Sequence, residues 1–131
     1  MPIQCEYYAL EGVTQLMRTI EAVRHAMNKE LRLGSILMTM FDGRTRLSTQ
    51  VDEEVRTHFA RETMSTRIPR SVRVSEAPSY SRSVLTYEPT SAGAVAYREA
   101  AAEFAKRHAC DEHSTNTSGV KHPDASDTKK G

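Results

Sequence analysis

The sequence predicts an α/β fold, a parallel β-sheet with flanking helices, and three observations predict it. Residues 35–41, Ser-Ile-Leu-Met-Thr-Met-Phe, are a nearly continuous apolar run, as in strands covered on both faces. Ahead of that run, Val13, Leu16, Met17, Ile20, Val23 and Met27 recur at three- and four-residue steps, the period of an amphipathic helix. Behind it, Leu47, Val51, Val55 and Phe59 keep an i, i+4 rhythm, and residues 64–68 read as the next short strand. Strand, helix and strand with short joints make a right-handed parallel crossover unit.

Taken in order, residues 1–5 read as a short strand. The first helix runs roughly four to five turns, and Asn28 and Gly34 bracket its exit. Its apolar stripe is expected to face the core. Asp42-Gly43 ends the central strand, and Thr45 or Ser48 caps the next helix. Asp52, Glu53 and Glu54 are expected on a solvated face near that helix's N-terminus, where acids suit the dipole. Residues 66–79 read as a strand end running into a polar loop. Pro69 cannot donate to a ladder and stops the pairing. Arg67, Arg70 and Arg73 follow three-residue spacing, and Pro78 closes the loop. Ligands of open α/β sheets bind just past the strands' carboxyl ends, so this loop is a candidate binding edge; a solvated basic loop is the plainer reading. Residues 84–87 read as a brief extended piece stopped by Pro89. Thr90 or Ser91 caps a last helix with Val95, Ala96, Tyr97, Ala100 and Phe104 on its inner face. Lys106 and Arg107 near its end suit the dipole. Residues 1–107 form the domain, and the polar composition from His108 on predicts a disordered tail over 108–131.

Composition narrows the function. With 131 residues there is room for one domain. Eighteen basic against 17 acidic residues leave a net charge of +1, so any nucleic-acid contact must come from a local patch. No apolar run is long enough to span a bilayer, and the N-terminus has no signal-peptide pattern. Cys5 and Cys110 form no CxxC, which points to reduced thiols and a cytoplasmic protein. His108, Cys110, His113 and His122 match no zinc spacing, so no metal site is expected. The glycine-rich phosphate loop, the His-Glu-x-x-His pair and the Gly-x-Ser-x-Gly elbow are all absent.

Four blocks carry a resemblance. They are residues 2–12 (PIQCEYYALEG), residues 37–55 beginning LMTMFDGRT, residues 68–79 (IPRSVRVSEAPS), and Tyr87-Glu88-Pro89 with Ser91-Ala92-Gly93 and Tyr97. In order and spacing they resemble the ParA/Soj family of chromosome- and plasmid-partitioning ATPases, C-terminal part only. The resemblance implies the C-terminal portion of a P-loop NTPase-like sheet of the deviant Walker A (ParA/MinD) type. The family dimerises around ATP and Mg2+, binds double-stranded DNA without sequence preference, and releases it when a ParB-type partner stimulates hydrolysis. It is cytoplasmic and nucleoid-associated. The family's phosphate loop lies upstream of the segment matching Pro2. The chain is therefore expected to be truncated, to hold ATP and Mg2+ poorly, and to be inactive alone.

Carried over position by position, Met40, Phe41, Asp42, Pro69 and Arg70 are the implied nucleotide-base wall. Arg44 and Arg73 are the implied DNA contacts, with Arg46 able to add to the patch. Glu6, Tyr7 and Tyr8 lie at the implied dimer face. Ser81-Arg82 replaces the family's Gly-Lys. The alternatives are a non-catalytic DNA-binding or dimer-interfering module, or a non-functional remnant. Unpaired apolar strand edges are expected to favour aggregation.

Overall fold

The structure, a computed structural model, describes residues 1–112, with side chains through Ala109. Three parallel strands lie in the order β1 (Pro2–Gln4), β2 (Ile36–Phe41), β3 (Thr63–Pro69). Helix α1 (Ala9–Ala26) joins the first two, and α2 (Arg46–His58) joins the second and third. Beyond β3 come α3 (Val72–Glu76), a 3-10 turn (Ala77–Tyr80), a helical turn α4 (Val84–Tyr87) and α5 (Ala92–Glu112).

Alternation along the strands sorts the core into two layers. Ile36 and Met38 of β2 join Ile3, Cys5, Val13, Val51 and Val55 beneath α1 and α2. Leu37, one residue out of phase, packs with Met64, Ile68, Ala96 and Ala100 beneath α5. Met38 is fully buried, and truncating such a side chain to alanine costs about 2–5 kcal/mol. The alanines of α5 keep that helix close to the sheet. Gly93 at its start has no room for a side chain, since a Cβ there would lie 2.5 Å from Val74 Cγ2.

Both outer strand edges are managed. On β1, Pro2 has no N–H to offer, and the Gln4 carbonyl accepts from Glu6 N at 2.9 Å. On β3, side chains of α5 stand in for a neighbouring strand. Glu103 Oε1 accepts Ser65 N–H at 2.7 Å and Oε2 accepts Thr66 N–H at 2.8 Å. Arg107 donates to the carbonyls of Arg61 and Thr63, each at 3.0 Å. Ser65 and Thr66 are consecutive, yet both N–H groups meet one carboxylate, and here the pairing register with β2 shifts between Ile36 and Met38. A second shift falls between Met38 and Phe41, where Met40 has a left-handed φ of 54°. The expected open apolar edges are thus narrowed to a three-residue, proline-bearing strand, the kind of edge that discourages further pairing.

Several local expectations are corrected. The polar loop after Pro69 is helical: Ser71 is extended at the start of α3, and Pro78 sits in the first turn of the 3-10 segment, where its missing N–H costs nothing. Residues 84–87 are a helical turn, because Ser83 O accepts from Tyr87 N at 2.8 Å and no strand lies alongside to pair. The α1 stripe is only partly covered. Val13 is buried, while Leu16 and Met27 are exposed, since the sheet beneath ends at the short β1. On α5, Val95 and Phe104 are exposed and Ala94 is buried instead. That helix also runs through the boundary expected at His108 to Glu112. Residues 113–131 of the expected tail, with His113 and His122, lie outside the described residues.

Candidate nucleic-acid interface

Because the strands are parallel, all three end at one edge of the sheet, and every implied site residue belongs to that edge. The chain leaves β2 through a tight turn. Asp42 O accepts both the N–H and the hydroxyl of Thr45 at 3.0 Å, and Thr45 Oγ1 in turn accepts Ser48 N–H at 3.3 Å, capping α2. Asp42 Oδ1 accepts Arg44 N at 3.0 Å, an Asx-type turn that folds the arginine back over the carboxylate. Its guanidinium then forks onto the same group, Nε to Oδ1 at 3.0 Å and Nη2 to Oδ2 at 2.9 Å. Arg44's side chain is 90% exposed. The guanidinium and backbone N–H of Arg44 hold the Asp42 carboxyl down at about 2.

At the end of β3, Arg70 N–H donates to Phe41 O at 2.9 Å, and its guanidinium pairs with Glu6 from the end of β1. One ion pair therefore spans the three strand ends. Arg73, on α3, pairs with Glu76 Oε2 at 3.1 Å. Arg46 and Arg82 are exposed and have no acidic partner among the described residues. The two implied DNA contacts, Arg44 and Arg73, thus stand on segments leaving adjacent strand ends, each against its own acid, and they do not touch.

The implied base wall divides. Phe41 and Pro69 are register partners, and Arg67 lies over the Phe41 ring, 5.2 Å from its centroid. Met40 takes the left-handed position just before them. Tyr7 and Tyr8 are exposed and meet edge to face at 5.2 Å.

Beneath this edge is a buried cluster that sequence reasoning placed elsewhere. Asp52, expected on a solvated face, is 4% exposed. Its Oδ2 accepts from Arg67 Nη2 at 2.6 Å and Arg56 Nε at 2.9 Å, while Oδ1 is buried without a partner. Burial works to raise the Asp52 pKa, but the two arginines outweigh it and hold the group lowered. Burial, with the Asp52 charge close by, pushes the Cys5 thiol up to about 11. The available signal was phase: Asp52 follows Val51 and stands four residues from both Ser48 and Arg56, on the buried side of α2.

ATP and Mg2+, implied by the resemblance, can be tested against these residues. Phe41 packs against the core beneath α1 and α2 and carries Arg67 on its ring. Glu6, Asp42 and Glu76, the carboxylates at this edge, each hold an arginine. A metal ion would have to displace a guanidinium. These paired carboxylates do not fit a metal–triphosphate group.

Over 107 residues the chain is 50% identical to the chromosome-partitioning ATPase Soj of Thermus thermophilus, covering 82% of this chain and 43% of that protein. This chain is a relative of the ParA/Soj chromosome-partitioning ATPases. It is also 50% identical over 107 residues to the chromosome partitioning protein ParA of Caulobacter vibrioides, covering 40% of that protein. To the sporulation initiation inhibitor protein Soj of Bacillus subtilis it is 47% identical over 105 residues, covering 42% of that protein. The chain spans about two-fifths of the length of these curated ParA/Soj relatives. No family model matches it. Among the described residues, no helix is long and apolar enough to cross a membrane.

Proposed function

We propose that this chain supplies the nucleic-acid-gripping edge of a ParA-like partitioning protein. It binds double-stranded DNA without sequence preference, on the cytoplasmic nucleoid. The observation that carries this reading is the convergence of Arg44, Arg46 and Arg73 on one sheet edge, where parallel strand ends leave them exposed. Guanidinium groups fork onto phosphate oxygens and stay charged at cellular pH. Phosphate contacts position a protein on DNA without reading bases.

A ParB-type partner and a homodimer built across Glu6, Tyr7 and Tyr8 belong to the same reading, whereas ATP and Mg2+ are not held well by this chain alone. The paired edge carboxylates favour a chain that does not hydrolyse ATP by itself. Two assays test this. Anisotropy titrations against duplexes of unrelated sequence should give equal affinities, and Arg44→Ala with Arg73→Ala should lower all of them together. A sequence-dependent affinity would contradict the reading. Purified protein should release no phosphate from ATP, and measurable turnover would overturn the non-catalytic assignment.

A further inference from the structure

The segment after β3 carries a second feature that phosphate gripping does not use. Tyr80 ends the 3-10 turn, and Tyr87 ends α4. Their rings stack with centroids 5.0 Å apart and planes 20° from parallel. The backbone fixes this arrangement. Ser81 takes a left-handed φ of 52°, and Arg82 N–H donates to Ala77 O at 3.1 Å, closing the turn just after Tyr80. Tyr87 is half-buried, whereas Tyr80 is 62% exposed. Tyr80 is thus supported on one side and open to solvent. Tyr87 Oη donates to Glu76 Oε2 at 3.5 Å, the oxygen that also holds Arg73. One carboxylate ties a cation to the ring stack. Arg82 follows on the exposed side of the turn.

We propose that Tyr80 and Tyr87 form a stacking platform for an unpaired base of single-stranded nucleic acid, with Arg73 and Arg82 on the adjoining phosphates. This rests on the DNA-binding reading above and extends it to a second ligand form. An exposed aromatic face beside cations is the arrangement that single-strand binders use, and it tolerates any base because every base has a π-face. A continuous duplex cannot use it, since both faces of each base are already covered by neighbours. Discrimination between strand and duplex therefore falls on Tyr80, and general affinity on the arginines.

The test compares two fluorescein-labelled probes at one low salt concentration: an oligothymidylate strand, and a duplex closed at each end by a non-nucleotide glycol linker so that it carries no unpaired base. Anisotropy gives both affinities for the wild type, Tyr80→Ala and Tyr80→Phe. Tyr80→Ala should lose about fivefold or more on the strand, the value of one stacked base, and nothing on the duplex. Tyr80→Phe keeps the ring and should match the wild type on both. An unchanged strand affinity in Tyr80→Ala overturns the proposal. So does a wild type that binds the closed duplex but not the strand, and that result leaves the duplex reading standing. A wild type that binds neither probe overturns both.

Discussion

Replacing Glu103 by alanine removes a single carboxylate that closes the β3 edge. Its oxygens accept the N–H groups of Ser65 and Thr66 at 2.7 and 2.8 Å, the Thr66 hydroxyl at 2.8 Å and Arg107 Nε at 3.0 Å. Hydrogen bonds to a charged group contribute about 1.5–3 kcal/mol each. This edge is partly wet, with Ser65 exposed and Glu103 19% exposed, so water recovers part of the loss. The expected cost is roughly 2–4 kcal/mol. Acid provides an independent check. Burial works to raise the Glu103 pKa, but the bonds from Ser65, Thr66 and Arg107 outweigh it and lower it from 4.5 to about 2. By linkage such a lowering contributes up to roughly 3 kcal/mol. The folded value is depressed, so this contribution is complete above pH 4.5 and is lost as pH falls toward 2. Denaturant unfolding followed by far-UV circular dichroism, on wild type and Glu103→Ala across that range, measures it. The gap should be widest at neutral pH and narrow steadily in acid. A gap below about 0.5 kcal/mol at neutral pH, within the scatter of ordinary surface substitutions, would refute the edge-capping argument. So would one that does not change with pH.

Gly93→Ala should cost about 1–3 kcal/mol, because a Cβ there collides with Val74 Cγ2 and the helix start cannot yield; thermal unfolding reads it, and an unchanged Tm would contradict the packing. Asp52→Ala should destabilise by roughly 3–5 kcal/mol, since it leaves Arg56 and Arg67 without their acid; a neutral result by denaturant unfolding would show that the orphaned Oδ1 already cancels the pair. The buried, raised Cys5 thiol should react with a disulfide reagent only as the chain unfolds, measured in a Cys110→Ser background; fast labelling of folded protein would mean that β1 is not docked. Asp42→Asn removes the anion that clamps Arg44 and should raise duplex affinity severalfold at low salt; a fall would mean that the clamp presents the arginine to DNA instead of restraining it.

The layers were legible in the sequence because their signals are local. The apolar run of β2, the i, i+4 rhythm of α2 and the Thr45 cap need no distant partner to be recognised. The parallel pairing of β2 with β3 followed from the crossover pattern. What was misread depends on who covers what. Residues 84–87 have β-prone side chains but no strand beside them, so the backbone turn closed onto Ser83 O prevailed. Leu16 and Met27 carry the helical period, yet the sheet ends beneath them. Asp52 was read as one acid of three. Its burial is tolerable because Arg56 on the same helix and Arg67 from β3, fifteen residues away, both pair with it. At the candidate site, sequence resemblance named the arginines and the strand ends grouped them. The acids that hold them, Asp42, Glu6 and Glu76, became visible only in three dimensions.

The salt dependence of duplex binding addresses the phosphate-gripping edge most directly. Each phosphate contact that releases counterions adds about 0.9 to the slope of log Kobs against log salt. Arg44→Ala with Arg73→Ala should therefore flatten the slope by about 2 and weaken binding to every duplex alike. A slope identical to that of the wild type would mean that these guanidinium groups do not touch the DNA backbone.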